Sequence, residues 1–255
     1  MNNNDNVSDK ENVDLKNVGP LFLANFVHQV VNPLNGVIGT LDNINDGTYK
    51  GDVVDQKLKA CRGQLEQCVS LIRNLAFLSD YFFETSGKES LKPVREGGIS
   101  VLPQVIIEAI QFFQIAASRK GIRVELTDSF TQYKIAARPE LLRQVFMNLF
   151  DNWLKYGHND QVVLVTPTTN KRKELVIEIS GASVGFLNAE AERLFELGYR
   201  SKSATEKVAQ GSGIGLYVCR QILEKSVGGA ITAGHSNKDS ISTFRISIPE
   251  NKWQI

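Results

Sequence analysis

Apolar residues recur from Leu23 at Val27, Val30, Leu34, Val37, Leu41 and Ile44, in alternating steps of four and three. That spacing keeps one stripe of a helix apolar and predicts a bundle or coiled-coil seam. After the turn-rich stretch NDGTYKGD, a second seam runs through Val54, Leu58, Cys61, Leu65, Cys68, Ile72, Leu75 and Phe82, widened by Leu71 and Leu78. Two helices of about 25 to 30 residues joined by so short a connection predict an antiparallel hairpin. A lone hairpin leaves much of such a stripe wet, so a homodimer closing a four-helix bundle is expected. The alternative is a second domain folded back over the stripe in a monomer.

The texture changes after this hairpin. Ser86 to Gly98, SGKESLKPVREGG, breaks the helical period with Gly and Pro and marks a domain boundary. Beyond it the pattern predicts a helix over Pro103–Ser118, a strand over Ile122–Leu126, a helix over Pro139–Tyr156, and strands at VVLVT and ELVIEIS around the turn TTNKRK. A short helix near Glu190–Leu197, a polar loop, a helix after Gly213 and the strands GGAITA and STFRISIP follow. Helices segregated from a largely antiparallel sheet make the fold class α+β: a long antiparallel hairpin, then a two-layer α/β sandwich. The domains expected are a disordered lead-in over 1–16, rich in Asn, Asp and Lys, the hairpin over 17–88, and the sandwich over 97–252.

Charge and cysteine usage narrow the partners. With 29 Lys+Arg against 28 Asp+Glu there is no basic excess of the kind nucleic acid demands. Cys61, Cys68 and Cys219 form no CxxC pair and read as buried, reduced thiols. No apolar run approaches the roughly 18 residues of a membrane span, and the polar start lacks an apolar signal region. A cytoplasmic protein without membrane contact from this segment is expected.

Three motifs carry candidate chemistry. His28 in FVHQVVNPLNG falls just outside the first seam, so its imidazole should face solvent, where a neutral ring offers a nucleophilic nitrogen. Pro33 should bend the helix beside it, and Asn32, one turn on, could orient a water or a phosphoryl oxygen. The same residues also fit an ordinary surface histidine near an incidental kink. In RQVFMNLFDNWLKYG, Asn148, Asn152 and Lys155 share a face opposite Val145, Leu149 and Phe150; two amides and a cation suit a Mg²⁺-bound polyphosphate, or simply a solvated face. GSGIGL, Gly211 to Leu216, is a glycine-rich turn running into a helix, where backbone N–H groups can approach a phosphate. SATEKVAQ upstream reads as a lid or a long surface loop, with Arg200, Lys202 or Gln210 within reach of a triphosphate.

In their order and spacing these motifs resemble the core of bacterial two-component sensor histidine kinases, over nearly everything from residue 20 to 250. HQVVNPL is similar to the H box, QVFMNLFDNWLKYG to the N box, SGASVGF to the G1 box, LFELGYRS to the F box and GSGIGL to the G2 box. The resemblance implies a HisKA-type dimerisation and phosphotransfer hairpin, followed by a Bergerat-type ATP-binding domain. It implies that His28 is the autophosphorylated residue, that Asn152, with Asn148, serves Mg²⁺ and the triphosphate of ATP, and that Lys155 and Tyr156 meet nucleotide groups. Gly181 and Gly185 would belong to the G1 turn, and Gly211, Gly213, Gly215 and Leu216 to the phosphate-side turn. A response regulator would receive the phosphoryl group on an aspartate, and Asn32 stands where the family has a residue used in the reverse, phosphatase step.

Two positions depart from the family pattern. Gln29 follows the histidine where the family usually has Glu or Asp to take the imidazole proton, and an amide is no base at neutral pH. Gly181 stands where a G1 Asp would accept a hydrogen bond from the adenine amino group; losing a charged hydrogen bond costs roughly 1.5 to 3 kcal/mol. An active kinase, a degenerate kinase that binds a regulator, and a phosphotransfer station loaded by another kinase are the readings the sequence allows.

Overall fold

The computed structural model describes residues 15–85, 98–208 and 211–255, with the side chains at 15–25, 29, 66, 67, 70 and 77–85 excluded. Most of the lead-in, residues 86–97 of the boundary segment, Gln210, and the side chains of Gln29, Leu23, Leu78 and Phe82 therefore lie outside the described residues. The chain divides into two compact units, Met1–Ala76 and Phe77–Ile255.

In the first unit α1, Leu15–Asn45, turns through a short loop into α2, Asp52–Thr85, whose later residues pass into the second unit. Gly47 and Gly51 take φ of 77° and 57° in that loop, and Asp46 Oδ1 accepts from the Thr48 N–H at 2.9 Å. Asp52 and Asp55 in the first turn of α2 complement its dipole. The helices run antiparallel: Cys68 Sγ lies 3.6 Å from Val30 O, and a Cβ on Gly36 would sit 3.1 Å from Gln64 Nε2. Pro33 is buried inside α1, and the helix continues through it.

The predicted seam divides into two. Phe26, Val37, Cys61, Cys68 and Leu71 are buried within the hairpin, whereas Val27, Ile38, Leu41, Leu58, Leu65 and Ile72 are exposed. A stripe with steps of three and four is wider than one neighbouring helix can cover, so residues seven apart separate into an inner row through Cys61 and Cys68 and an outer row through Leu58, Leu65 and Ile72.

The second unit contains a five-stranded sheet in the order β2-β4-β5-β7-β6: β2 Arg123–Leu126, β4 Val162–Thr169, β5 Leu175–Ala182, β6 Ala230–Ser236 and β7 Ile241–Ile248. Only β2 and β4 pair in parallel; the other ladders are antiparallel, with Gly181 opposite Ser242. Residues along β5 alternate buried and half-buried, so one face of the sheet carries the core. That face is covered by α3, Leu102–Arg119, α4, Pro139–Tyr156, and α6, Gly215–Ile222, with α4 packed between the other two. Pro103 and Pro139 stand at the helix starts, where a missing N–H costs nothing. A second small sheet, β1-β3-β8, joins Ser100–Val101, Lys134–Ile135 and Trp253–Gln254. The helix expected near Glu190–Leu197 is instead two 3₁₀ turns, Asn188–Glu190 and Arg193–Phe195, because Leu194 and Phe195 must both reach the core over so few residues.

Candidate phosphotransfer and nucleotide sites

His28 and Asn32 are both exposed, one helical turn apart on α1. Pro33 beside them has no N–H, so the Gln29 carbonyl loses its usual helical partner. An exposed imidazole on a rigid helix can approach a phosphorus centre on another body without rearrangement of its own backbone.

In the second unit α4 divides its polar residues between two tasks. Asn148 is 4% exposed: its Nδ2 donates to Gly215 O at 3.1 Å and its Oδ1 accepts from Gln144 Nε2 at 3.1 Å. Its amide thereby anchors the first residue of α6, Gly215, through the protein itself. Asn152, one turn on, has a buried Nδ2 without a hydrogen-bond partner. A buried amide left open at one end is costly unless something binds there, and the two ends of an amide exchange by a half-turn. Lys155 lies 2.5 Å from Asp151 Oδ2, an (i, i+4) ion pair that holds the cation against its own helix. Tyr156 contributes its carbonyl, which accepts from the Val184 N–H at 3.1 Å and ties the end of α4 to the segment after β5.

The glycine turn is built by backbone contact. At Gly213, φ is 64° and a Cβ would lie 2.5 Å from the Gly198 carbonyl carbon, while the Gly198 N–H donates to Gly213 O at 3.1 Å. Only glycine fits there. Ser212 Oγ accepts from the Ile214 N–H at 3.3 Å, and α6 then begins at Gly215 with no side-chain cap, leaving first-turn N–H groups for an anion. Leu216 sits in that first turn and Gly211 packs against the Arg200 guanidinium. Arg200 donates to Ala204 O at 3.1 Å and also to Val208 O, so it holds the lid segment, α5 Lys202–Lys207, by its backbone. Ser201 caps α5 by accepting from the Ala204 N–H at 3.2 Å.

The end of β5 is crowded. The Gln161 amide donates to His158 O at 2.7 Å and Ala182 O at 2.8 Å and accepts from the Ala182 N–H at 2.6 Å. A Cβ on Gly181 would lie 3.0 Å from Gln161 Oε1, 3.2 Å from Val163 Cγ2 and 3.5 Å from Trp153 Cζ3. Gly185, with φ of 69°, lies under His235, whose Nδ1 is 3.0 Å from Ser242 Oγ; Ser242 in turn is 2.6 Å from Ser183 Oγ. The sequence reading missed Gln161, Trp153 and His235. Trp153 carried a signal, a large aromatic directly after Asn152 on a helix that packs on the sheet; Gln161 and His235 carried none, because their partners are backbone groups and residues brought together by strand pairing.

The site therefore fits a Mg²⁺-bound polyphosphate at one end: the open Asn152 N–H would donate to a phosphate oxygen, or with the amide turned its oxygen would hold the ion, and the α6 N-terminus would receive the anion. At the Gly181 end the residues fit an adenine poorly, since no carboxylate stands there to accept from its amino group and both Gln161 amide hydrogens are already donated to His158 O and Ala182 O.

Residues 137–252 match the family described as histidine kinase-, DNA gyrase B- and HSP90-like ATPase. The chain is 25% identical over 230 residues to the signal transduction histidine-protein kinase BaeS of Escherichia coli K12, covering 89% of this chain and 46% of BaeS. It thus spans under half the length of that curated relative. Among solved structures, the Acinetobacter baumannii histidine kinase AdeS aligns with a TM-score of 0.59 at 21% identity, over 88% of this chain and 98% of that one. Histidine kinase ThkA in complex with response regulator protein TrrA aligns with a TM-score of 0.59 at 17% identity, over 96% of this chain and 68% of that one. Likeness at these identities establishes the fold. Residues 137–252 thus form a histidine kinase-, DNA gyrase B- and HSP90-like ATPase domain, and the chain is similar to sensor histidine kinases over most of its length.

Proposed function

We infer that this chain is the phosphotransfer core of a two-component signalling kinase, with His28 as the phosphate acceptor. The observation that carries the reading is the exposed His28 beside Asn32 on a helical hairpin, in a chain whose second unit is a histidine-kinase-like ATPase domain. A ring nitrogen of His28 attacks the terminal phosphorus of ATP; the bond to the bridging oxygen breaks, its electron pair leaves with ADP, and the imidazole loses its proton. Gln29, an amide, cannot take that proton, so solvent receives it. The phosphoryl group then passes to an aspartate of a response regulator, and Asn32 supports the reverse step. The working form is a homodimer in which the outer row of Leu58, Leu65 and Ile72 is covered, with the hairpin over 17–88 and the ATPase unit over 97–252, on the cytoplasmic side. No helix among the described residues is long and apolar enough to cross a membrane.

A second reading, a degenerate kinase whose His28 is charged by a phosphorylated partner, is favoured by one observation: Gly181 with its flank filled by Gln161 and Trp153. Incubation with γ-labelled ATP and Mg²⁺, and separately with a phosphorylated receiver domain, tests both. Acid-labile, base-stable label is expected on the wild type and absent from His28→Ala; no label from either donor would overturn the assignment of His28.

A further inference from the structure

The crowding at Gly181 has the dimensions of a ligand. Trp153 is 2% exposed, and its indole, a bicyclic ring close to the size of a purine, meets Phe244 edge-on at 6.2 Å and 81°. The six-membered edge of the same indole approaches Gly181 through Cζ3. Beside it, both amide hydrogens of Gln161 are taken by His158 O and Ala182 O, and its oxygen receives the Ala182 N–H. The ring nitrogens of an adenine would find no donor on that amide, and its amino group would find no carboxylate at Gly181.

We propose that Trp153 and Gln161 fill the base end of the nucleotide site, so that the ATPase unit keeps its polyphosphate end but is closed by its own side chains against the purine. The proposal deepens the second of the two readings above, in which His28 is charged by a phosphorylated partner, and it rests on the two-component reading in taking Gly181 as the base end of that site. Opening the space means moving a buried indole into water. A tryptophan buries about 150–250 Å² at roughly 25 cal/mol per Å², which corresponds to an affinity loss on the order of a hundredfold or more even if only part of that surface is exposed. Gly181 belongs to the same arrangement: a Cβ there would press on the Gln161 amide oxygen at 3.0 Å and on Val163 Cγ2 at 3.2 Å, so both would have to give by a few tenths of an ångström.

Calorimetry of Mg²⁺-ATP binding to the full chain tests this. The wild type is expected to bind in the millimolar range, and Trp153→Ala at least about tenfold more tightly. Trp153→Leu keeps more of the core filled and serves where the alanine variant melts early, with the fold of each checked by circular dichroism. Wild-type binding in the low micromolar range would overturn the closure, as would folded Trp153 variants that bind no more tightly than the wild type. Transfer to His28 from a phosphorylated receiver domain is measured in parallel. If His28 takes label while the calorimetric prediction fails, only the closure falls; if His28 takes label from neither donor, the two-component reading falls.

Discussion

Cys219 lies with no exposed surface inside α6, its Sγ 3.6 Å from Val145 O. Burial pushes its thiol up to about 12, against a smaller opposing pull from Asn148. The thiolate is therefore absent near neutrality, and native protein treated with iodoacetamide at pH 8 is expected to leave Cys219 unmodified, with full labelling after unfolding; mass spectrometry of the native digest checks it. Asp128 shows the opposite shift. Hydrogen bonds from the backbone N–H groups of Thr131, at 3.0 Å, and Phe130, at 3.1 Å, and from the Tyr133 hydroxyl at 2.9 Å hold its carboxyl down at about 2. The folded value lies below the unfolded one, near 3.9, so the stabilisation is complete above that pH and disappears as pH falls towards about 2. Asp128→Ala is expected to melt at a lower temperature than wild type at pH 7, with the gap closing between about pH 4 and 2, followed by circular dichroism. At this scale helical spacing was enough to place His28 on the exposed side of α1, one turn from Asn32. It was not enough at Asn148 or Lys155: the same spacing that placed them on one face gave no sign that Gly215 O and Asp151 would take their polar atoms.

Elements with a long period were readable before any coordinate. Pro139–Tyr156 falls where its apolar spacing and its proline start predict, and β4, β5 and β7 follow the runs of alternating or β-branched residues. The two-residue strands β1, β3 and β8 were not, because two residues carry no period and their pairing is decided by tertiary contact. The glycine turn falls between these cases: its composition announced a tight loop, but the partner it packs against, Gly198, is visible only in the fold. Gly213→Ala combines a left-handed φ of 64° with a Cβ 2.5 Å from the Gly198 carbonyl carbon. A loss of at least about 1 kcal/mol of stability is expected in urea unfolding.

Across the molecule, the hairpin predicts its own oligomer. Leu65 is 43% exposed and Ile72 53%, seven residues apart on one row, and Val27 and Leu41 are exposed on α1. These residues are the surface that the proposed homodimer would cover. Wild-type protein is expected to sediment as a dimer at micromolar concentration and Leu65→Glu as a monomer with unchanged helicity; a monomeric wild type would contradict the four-helix bundle. The seam itself was legible in sequence, but its division into a covered and an uncovered row was not, since periodicity reports the width of a stripe and not how many neighbours share it.

The small sheet has a bearing on how the protein is made. Lys134 pairs with Gln254 and Ile135 with Trp253, while β1 lies on the other side of β3. The α1–α2 hairpin depends on contacts close in sequence and can form while later residues are still being added. The ATPase unit cannot complete its edge until Trp253 and Gln254 have left the ribosome, so on each new chain the hairpin that carries His28 can form before the ATPase unit is whole.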